Sequence, residues 1–194
     1  GNSEEAVLGR LSEKKARLSE LEHYEESLEK AKRGLAAQEK ELYGICLRLS
    51  EARKKAAGVL CERIKEELVD LNFLQVDFRI NMARMNHMTA NGFDEVEFCI
   101  STNLGSAPPR PLGEVASGGE LSRIMLAIKT VLADSDDIPT LIFDEIDAGI
   151  SGRTAQKVSE RLSYIAKKHQ VLCITHLPQI AAMADTHFEI QKSV

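Results

Sequence analysis

The sequence predicts an α/β fold in which a mainly parallel sheet, covered by helices, follows a long coiled-coil helix. Three patterns predict it: a leucine repeat within residues 4–70, two alternating apolar stretches after it, and helix and strand patterns that alternate from residue 117 onward. Alternation of the last kind is typical of a parallel sheet, because each helix returns the chain to the same edge. We therefore divide the chain into an arm helix over 1–70 and a head region over 71–194.

The arm carries leucine at every seventh residue, at Leu21, Leu28, Leu35, Leu42 and Leu49. A sustained seven-residue repeat indicates a coiled coil. Other seam positions are charged, for example Lys14 and Glu25, which favours one leucine stripe against a partner helix over a tight symmetric dimer. The alternative is a long surface helix on a globular body. A helix of about 100 Å, however, cannot bury its stripe against one small domain.

The head region begins with two alternating apolar stretches, over 76–80 and 96–100, which predict antiparallel strands. Asn91-Gly92 between them offers a turn, and we expect a connection longer than a tight hairpin. The elements predicted after residue 117 are helix 118–133, strand 139–143, helix 152–168, strand 170–175, a short helix over 178–184 and strand 187–191.

Composition limits the function classes. The net charge is −5, so any contact with nucleic acid has to be made by a local patch. Apolar runs are too short to span a bilayer and no signal peptide is recognisable, which predicts a cytoplasmic protein without membrane contact. The four cysteines have no CxxC spacing, so we expect reduced thiols in the core or the helix seam.

Two carboxylates, Asp144 and Glu145, follow the strand predicted over 139–143. In nucleotide hydrolases, an acid in this place lies at the carboxyl edge of a parallel strand, where ligands collect. Asp144 would help to hold Mg²⁺, directly or through water, and Glu145 would polarise the water that attacks a γ-phosphate. Apolar strands that end in Asp-Glu are also common without this chemistry.

Ser117 and Glu120 have the spacing of a capping box, which predicts that a helix begins at Ser117. Gly118 and Gly119 in its first turn would expose backbone N–H groups to an anion. An ordinary capped helix explains the serine and the glutamate but not two glycines, each of which costs about 1 kcal/mol in a helix. His176 ends the strand predicted over 170–175, at the edge expected for Glu145, where it could bind a γ-phosphate or be structural.

In order and spacing, these segments resemble the ATP-binding-cassette superfamily. The resemblance identifies 117–120 as the signature motif, 141–145 as the Walker B strand and His176 as the switch histidine. A D-loop would include Ala148, Gly149 and Ser151. Glu120 stands where transporters usually carry Gln, and Ser151 stands where many members carry Asp.

The amino-acid sequences of four segments resemble those of the RecN family, an SMC-like branch of these ATPases. The segments are 100–103, 115–127, 143–152 and 175–181. The resemblance implies a role in DNA double-strand-break repair and recombination, with ATP and Mg²⁺ as cofactors. It implies a homodimer of heads in which the signature motif of one subunit completes the nucleotide site of the other. DNA ends and a coiled-coil partner helix are the other implied partners.

A phosphate-binding loop requires Gly-x-x-x-x-Gly-Lys-Ser/Thr, and this sequence contains no Gly-Lys pair. We therefore expect the C-terminal lobe of an ATPase head without its Walker A lobe, inactive alone. The alternative is a non-catalytic interaction module that binds through its coiled coil or head surface. A transporter ATPase is disfavoured, since transporter nucleotide-binding domains do not need a long helical arm.

Overall fold

The computed structural model describes residues 3–102, 108–114 and 117–191. Its elements are α1 (Glu4–Asp70), β1 (Asp77–Thr89), β2 (Gly92–Ser101), β3 (Arg110–Pro111), a 3₁₀ turn (Leu112–Glu114), α2 (Gly118–Leu132), β4 (Thr140–Phe143), α3 (Gly152–Ile165), β5 (Gln170–Cys173) and α4 (Pro178–Ala181). The strands form a sheet of order β1-β2-β3 and a separate pair, β4-β5. The α/β class and the long N-terminal helix are confirmed, but the parallel sheet is small. Among the described strands only β4 and β5 are shown to pair in parallel.

Helix α1 is continuous over 67 residues, as the leucine repeat predicts. It begins after Ser3, whose hydroxyl accepts a hydrogen bond from the amide of Ala6 at 3.3 Å. It ends where Asn72 takes a left-handed conformation, with φ 73°, and the amide of Phe73 donates to the carbonyl of Leu68 at 3.0 Å. This closing pattern satisfies carbonyls of the last turn. None of the described helices is long and apolar enough to cross a membrane.

The chain divides into two compact units, and the first comprises Gly1–Glu51 and Asn86–Phe93. Within it, the rings of Tyr43 and Phe93 lie 6.0 Å apart, and Cys46 is buried. The five leucines of the heptad repeat are 36–57% exposed. The helical arm is therefore present, and the partner helix for its stripe stays a prediction.

The second unit comprises Ala52–Met85 and Asp94–Val194 and contains the main hydrophobic core. The last turns of α1 contribute Ile64 and Leu68, α2 contributes Ile124, and α3 contributes Val158 and Ile165, all fully buried. Leu141 and Phe143 of β4 complete this core from the sheet. None of the four cysteines is bonded to another in the structure, and Cys46 and Cys99 are buried.

Two predictions from sequence are wrong. The connection between β1 and β2 is only residues 90–91, where Thr89 donates to the carbonyl of Gly92 at 2.8 Å and Gly92 has φ 90°. The strands continue past the alternating stretches, and β1 and β2 are hydrogen-bonded neighbours in the sheet. Residues 187–191 form no strand, and Phe188 and Ile190 are 90% and 91% exposed. Alternation alone does not make a strand, because a strand needs a neighbour for its backbone hydrogen bonds.

Candidate functional site

The carboxyl ends of β4 and β5 bring the predicted acidic residues and His176 to one edge. The two strands are parallel, with Phe143 opposite Cys173, and the amide of Ile174 donates to the carbonyl of Phe143 at 3.0 Å. Asp144 and Glu145 follow β4 directly, and both are exposed. Because the chain crosses from β4 through α3 to β5, the segment ending in His176 emerges beside them. The shared edge expected from sequence is present.

Asp147 links the turn after β4 to the segment after β5. Its Oδ2 accepts hydrogen bonds from the hydroxyl of Thr175 at 2.5 Å and from the amide of His176 at 2.8 Å. The Nδ1 of His176 lies 3.1 Å from the same oxygen. Burial raises the pKa of Asp147, but these hydrogen bonds and the nearby imidazole outweigh it and bring the pKa below its usual range. Asp147 is therefore a carboxylate at neutral pH.

Helix α2 places its first turn against the turn after β4. Ser117 is the N-cap, and its hydroxyl accepts a hydrogen bond from the amide of Glu120 at 3.4 Å. A Cβ at position 118 would lie 2.5 Å from Oε2 of Glu145. A Cβ at position 119 would lie 2.8 Å from both the Cβ of Ala148 and the carbonyl oxygen of Glu145. Both glycines therefore permit close packing within this chain, a reason that the sequence did not reveal.

Two further side chains of α2 fix the same turn. The hydroxyl of Ser122 donates to the carbonyl of Asp144 at 2.7 Å. Nη1 of Arg123 donates to the carbonyls of Ala148 at 2.9 Å and Ile146 at 3.4 Å. Arg123 is only 8% exposed, its guanidinium carbon lies 5.6 Å from the ring centre of Phe73, and burial lowers its pKa. A buried arginine with these partners holds the turn to the helix.

The turn after β4 contains unusual backbone conformations. Glu145 has φ 53°, a left-handed conformation that is uncommon outside glycine, and Gly149 has φ 71°. The amide of Ala148 donates to the carbonyl of Glu145 at 3.0 Å. Ser151 occupies the N-cap position of α3 without a capping hydrogen bond from its side chain. Ala148, Gly149 and Ser151 are thus all in or beside one tight turn, and their assignment as a D-loop stays a prediction.

Asp144 is the carboxylate at this edge that the sequence predicts as a magnesium ligand. Asp144 is exposed, and its Oδ1 accepts a hydrogen bond from the amide of Glu145 at 2.9 Å. Within the described residues, no three His, Cys, Asp or Glu side chains are grouped to hold a metal ion. Mg²⁺ is commonly bound by one or two carboxylates together with phosphate oxygens and water. The exposed carboxylate of Asp144 is compatible with that role, and its assignment as a metal ligand stays a prediction.

Sequence reasoning assigned no role to four residues of this site: Ser122, Arg123, Asp147 and Thr175. A signal for two of them is present in the sequence. Arg123 falls on the buried face of α2, between Gly119 and Ala127 in the helical repeat, where a charge needs partners. Asp147 is the third carboxylate within four residues, and like charges placed this closely favour partners that stabilise the ionised form. The hydroxyls of Ser122 and Thr175 have no comparable signal.

Comparison with known proteins finds similarity to RecN proteins. The chain is 40% identical over 200 residues to the DNA repair protein RecN of Halalkalibacterium halodurans, a match that covers 99% of this chain and 34% of that protein. It is 38% identical over 209 residues to RecN of Bacillus subtilis and 46% identical over 150 residues to RecN of Treponema pallidum. These two matches cover 100% and 74% of this chain, and 36% and 26% of the relatives. The chain thus spans about a third of the length of its first relatives. No protein-family model matches the chain.

Solved structures with a partial likeness include two Smc head domains. One is the head with an extended coiled coil from Pyrococcus furiosus, bound to the C-terminal domain of ScpA, with 21% identity and a TM-score of 0.48. That match covers 69% of this chain and 31% of the other. The Smc head with a coiled coil and joint from Pyrococcus yayanosii has the same identity and score, and its match covers 93% of this chain and 32% of the other.

Proposed function

Because the chain belongs to the RecN family over the segment that it spans, we propose that it forms part of an ATP-hydrolysing, SMC-like head that acts in DNA double-strand-break repair and recombination. The observation that carries the proposal is the shared edge of β4 and β5. There Asp144, Glu145 and His176 follow two paired parallel strands, and the first turn of α2 packs against them. The relatives that match almost the whole chain are DNA repair proteins by name.

Each polar residue at the edge has a role in this proposal. Asp144 holds Mg²⁺, directly or through water, and the ion neutralises charge on the phosphates when bound. Glu145 accepts a hydrogen bond from the attacking water and orients it toward the γ-phosphate. His176 contacts the γ-phosphate through its exposed imidazole, whose side chain is 76% accessible to solvent. All three side chains are reachable from solvent, as contact with a nucleotide requires.

The first turn of α2 binds nucleotide in trans. Ser117 and the amides of Gly118 and Gly119 supply hydrogen-bond donors at a helix N-terminus, where the helix dipole favours an anion. Glu120 completes the signature motif, and Ala148, Gly149 and Ser151 form the D-loop beside it. This surface lacks a lysine and holds no nucleotide alone, so its ligand is the phosphate bound by a second head. Two heads therefore close as a homodimer around ATP.

The rest of the chain serves the same assembly. The exposed leucine stripe of α1 pairs with a partner helix to form the arm of the head, and the whole protein joins or holds DNA ends. The chain as given has no Gly-Lys pair, so we propose that alone it neither binds ATP at micromolar concentration nor hydrolyses it. The exposed stripe also favours a second candidate, a non-catalytic interaction module that binds through its coiled coil.

Glu145→Gln in the full natural protein tests the enzymatic proposal. We expect ATP binding to persist, hydrolysis to fall by at least about 100-fold, and dimeric heads to accumulate with ATP. Asp144→Asn should instead weaken binding of Mg²⁺ with nucleotide. The matched control is Glu41→Gln, at an exposed position of α1, which should change neither property. Equal loss of binding in the Glu145 and Asp144 variants contradicts the division of roles, and unchanged hydrolysis in Glu145→Gln favours the interaction module.

A further inference from the structure

Asp147 has contacts that no role proposed above uses. Its side chain is 5% exposed, although it stands between the exposed Glu145 and Ala148. A buried carboxylate is costly unless hydrogen bonds compensate for the lost water. Here one oxygen, Oδ2, accepts hydrogen bonds from two donors, the hydroxyl of Thr175 and the amide of His176, and it lies 3.1 Å from Nδ1 of the same histidine.

We propose that Asp147 is a positioning residue that holds His176 with its proton on Nδ1, so that Nε2 is the nitrogen presented to a ligand. The proposal deepens the proposed function, because it rests on His176 being the residue that meets the γ-phosphate. It assigns to Asp147 the orientation of the imidazole and not a direct contact with nucleotide.

The carboxylate of Asp147 favours one tautomer of the His176 imidazole. A neutral imidazole carries one N–H, on either Nδ1 or Nε2, and an ionised carboxylate only accepts hydrogen bonds. Nδ1 lies 3.1 Å from Oδ2 of Asp147, and a lone pair on that nitrogen would face the negative charge of the carboxylate, so the tautomer with its proton on Nδ1 is favoured. Nε2 of the neutral ring then has a lone pair, and it donates a hydrogen bond to phosphate only when the ring holds both protons.

The same oxygen also fixes the backbone of His176. Its amide donates to Oδ2 at 2.8 Å, and the hydroxyl of Thr175 donates at 2.5 Å while accepting from the amide of Leu177 at 3.1 Å. The main chain of His176 is thus anchored to one buried atom, and the Nδ1 side of its ring lies against the same atom. Since the side chain of His176 is 76% exposed, these contacts rather than surrounding packing set the direction of the ring.

Asp147 is itself held on both sides. The carbonyls of Ile146 and Ala148 accept hydrogen bonds from the buried Arg123 of α2. The amide of Ile150 donates to the carbonyl of Asp147 at 3.3 Å. A rigid turn is what a positioning residue needs, because an orienting group that moves cannot fix its partner. The alternative is that Asp147 only stabilises the segment after β5 through its hydrogen bonds. In that case the tautomer of His176 would not depend on Asp147.

Nitrogen-15 spectroscopy of selectively labelled histidine in the full natural protein separates these two roles. His176→Gln assigns the resonances by their loss, and the spectra are recorded at a pH where the ring is neutral. We expect protonation on Nδ1 in the unmodified protein. In Asp147→Asn we expect a shift toward the Nε2-protonated tautomer, and in the matched control Asp137→Asn, at an exposed aspartate, no change. Protonation of His176 on Nε2 in the unmodified protein overturns the proposal without any variant.

Turnover provides the second measurement. If His176 acts on the γ-phosphate, Asp147→Asn should lower kcat by about 100-fold, the size of effect that a misplacement of about 1 Å produces, with nucleotide affinity retained. An Asp147→Asn protein with unchanged histidine resonances and unchanged kcat overturns the positioning role. A protein without ATPase activity whose His176 tautomer still depends on Asp147 contradicts the proposed function and leaves the positioning role standing.

Discussion

A methyl group at position 119 has no room, whereas one at position 118 meets only the end of a side chain. The Cβ of Gly119→Ala would lie 2.8 Å from the carbonyl oxygen of Glu145 and 2.8 Å from the Cβ of Ala148, and neither atom can rotate away. The Cβ of Gly118→Ala would lie 2.5 Å from Oε2 of Glu145, an exposed carboxylate that can turn into solvent. The same substitution at adjacent residues therefore has different consequences.

The expected changes in the free energy of unfolding follow from two opposing effects. Alanine gains up to about 1 kcal/mol over glycine within a helix. Forcing an extra methyl group into a packed site costs about 1–3 kcal/mol. For Gly119→Ala both effects apply, and we expect a net loss of about 1–2 kcal/mol in the free energy of unfolding. For Gly118→Ala the contact relaxes, and we expect a change between zero and a gain of about 1 kcal/mol.

Denaturant unfolding of the two variants measures the difference directly, and ATP-dependent association of the full natural protein is measured beside it. Because Gly119 holds the turn that carries Asp147, its variant should lose association together with stability. Gly118→Ala should keep its stability, so any loss of association in that variant reports on the bound phosphate. Equal stability of the two variants would refute the packing role inferred for Gly119.

Four further substitutions or measurements test other contacts. Arg123→Met should lower the free energy of unfolding by about 1–3 kcal/mol, because two carbonyls lose their donor, while Arg153→Met at an exposed site changes it by less than about 0.5 kcal/mol. Leu35→Lys, at a 57% exposed position, should leave stability unchanged and weaken arm pairing, as measured by sedimentation. Burial raises the pKa of Cys173 to about 11, so its alkylation should stay slow through pH 9, and unfolding should become easier as pH rises from 9 toward 11. Glu145→Gly should be about 1 kcal/mol more stable than Glu145→Gln by denaturant unfolding.

Much of the secondary structure could be predicted because its signals are local. The heptad leucines predict α1, and the Ser117 cap predicts where α2 begins. The length of β1 could not be predicted, because its large apolar residues after Ile80 are three methionines at every third position, Met82, Met85 and Met88, and not at every second position. β1 is hydrogen-bonded to β2, and an alternating pattern of apolar residues does not reveal such pairing.

The candidate site could be predicted only in part, for a similar reason. A carboxylate at the end of a strand is visible in sequence, which is how Asp144 and Glu145 were identified. The contact between Gly119 and Ala148 joins residues 29 positions apart in different elements, so both glycines were interpreted only as an anion site. The partners of Asp147, Thr175 and His176, meet it only once β4 and β5 pair, so the sequence does not show what its carboxylate bonds to.

The conformation of Glu145 connects these contacts to function. A left-handed backbone in a residue other than glycine costs about 1–3 kcal/mol, and it persists only where neighbours impose it. Here the amide of Ala148 bonds to the Glu145 carbonyl, and Ser122 holds the carbonyl of Asp144 just before it. The left-handed residue ends the alternation of β4 and turns the carboxylate toward Gly118. Glycine at 145 would remove the strain and the carboxylate together, whereas glutamine keeps the strained backbone. Glu145→Gly should therefore be the more stable of the two variants, and equal stability would mean that no strain is stored at this residue.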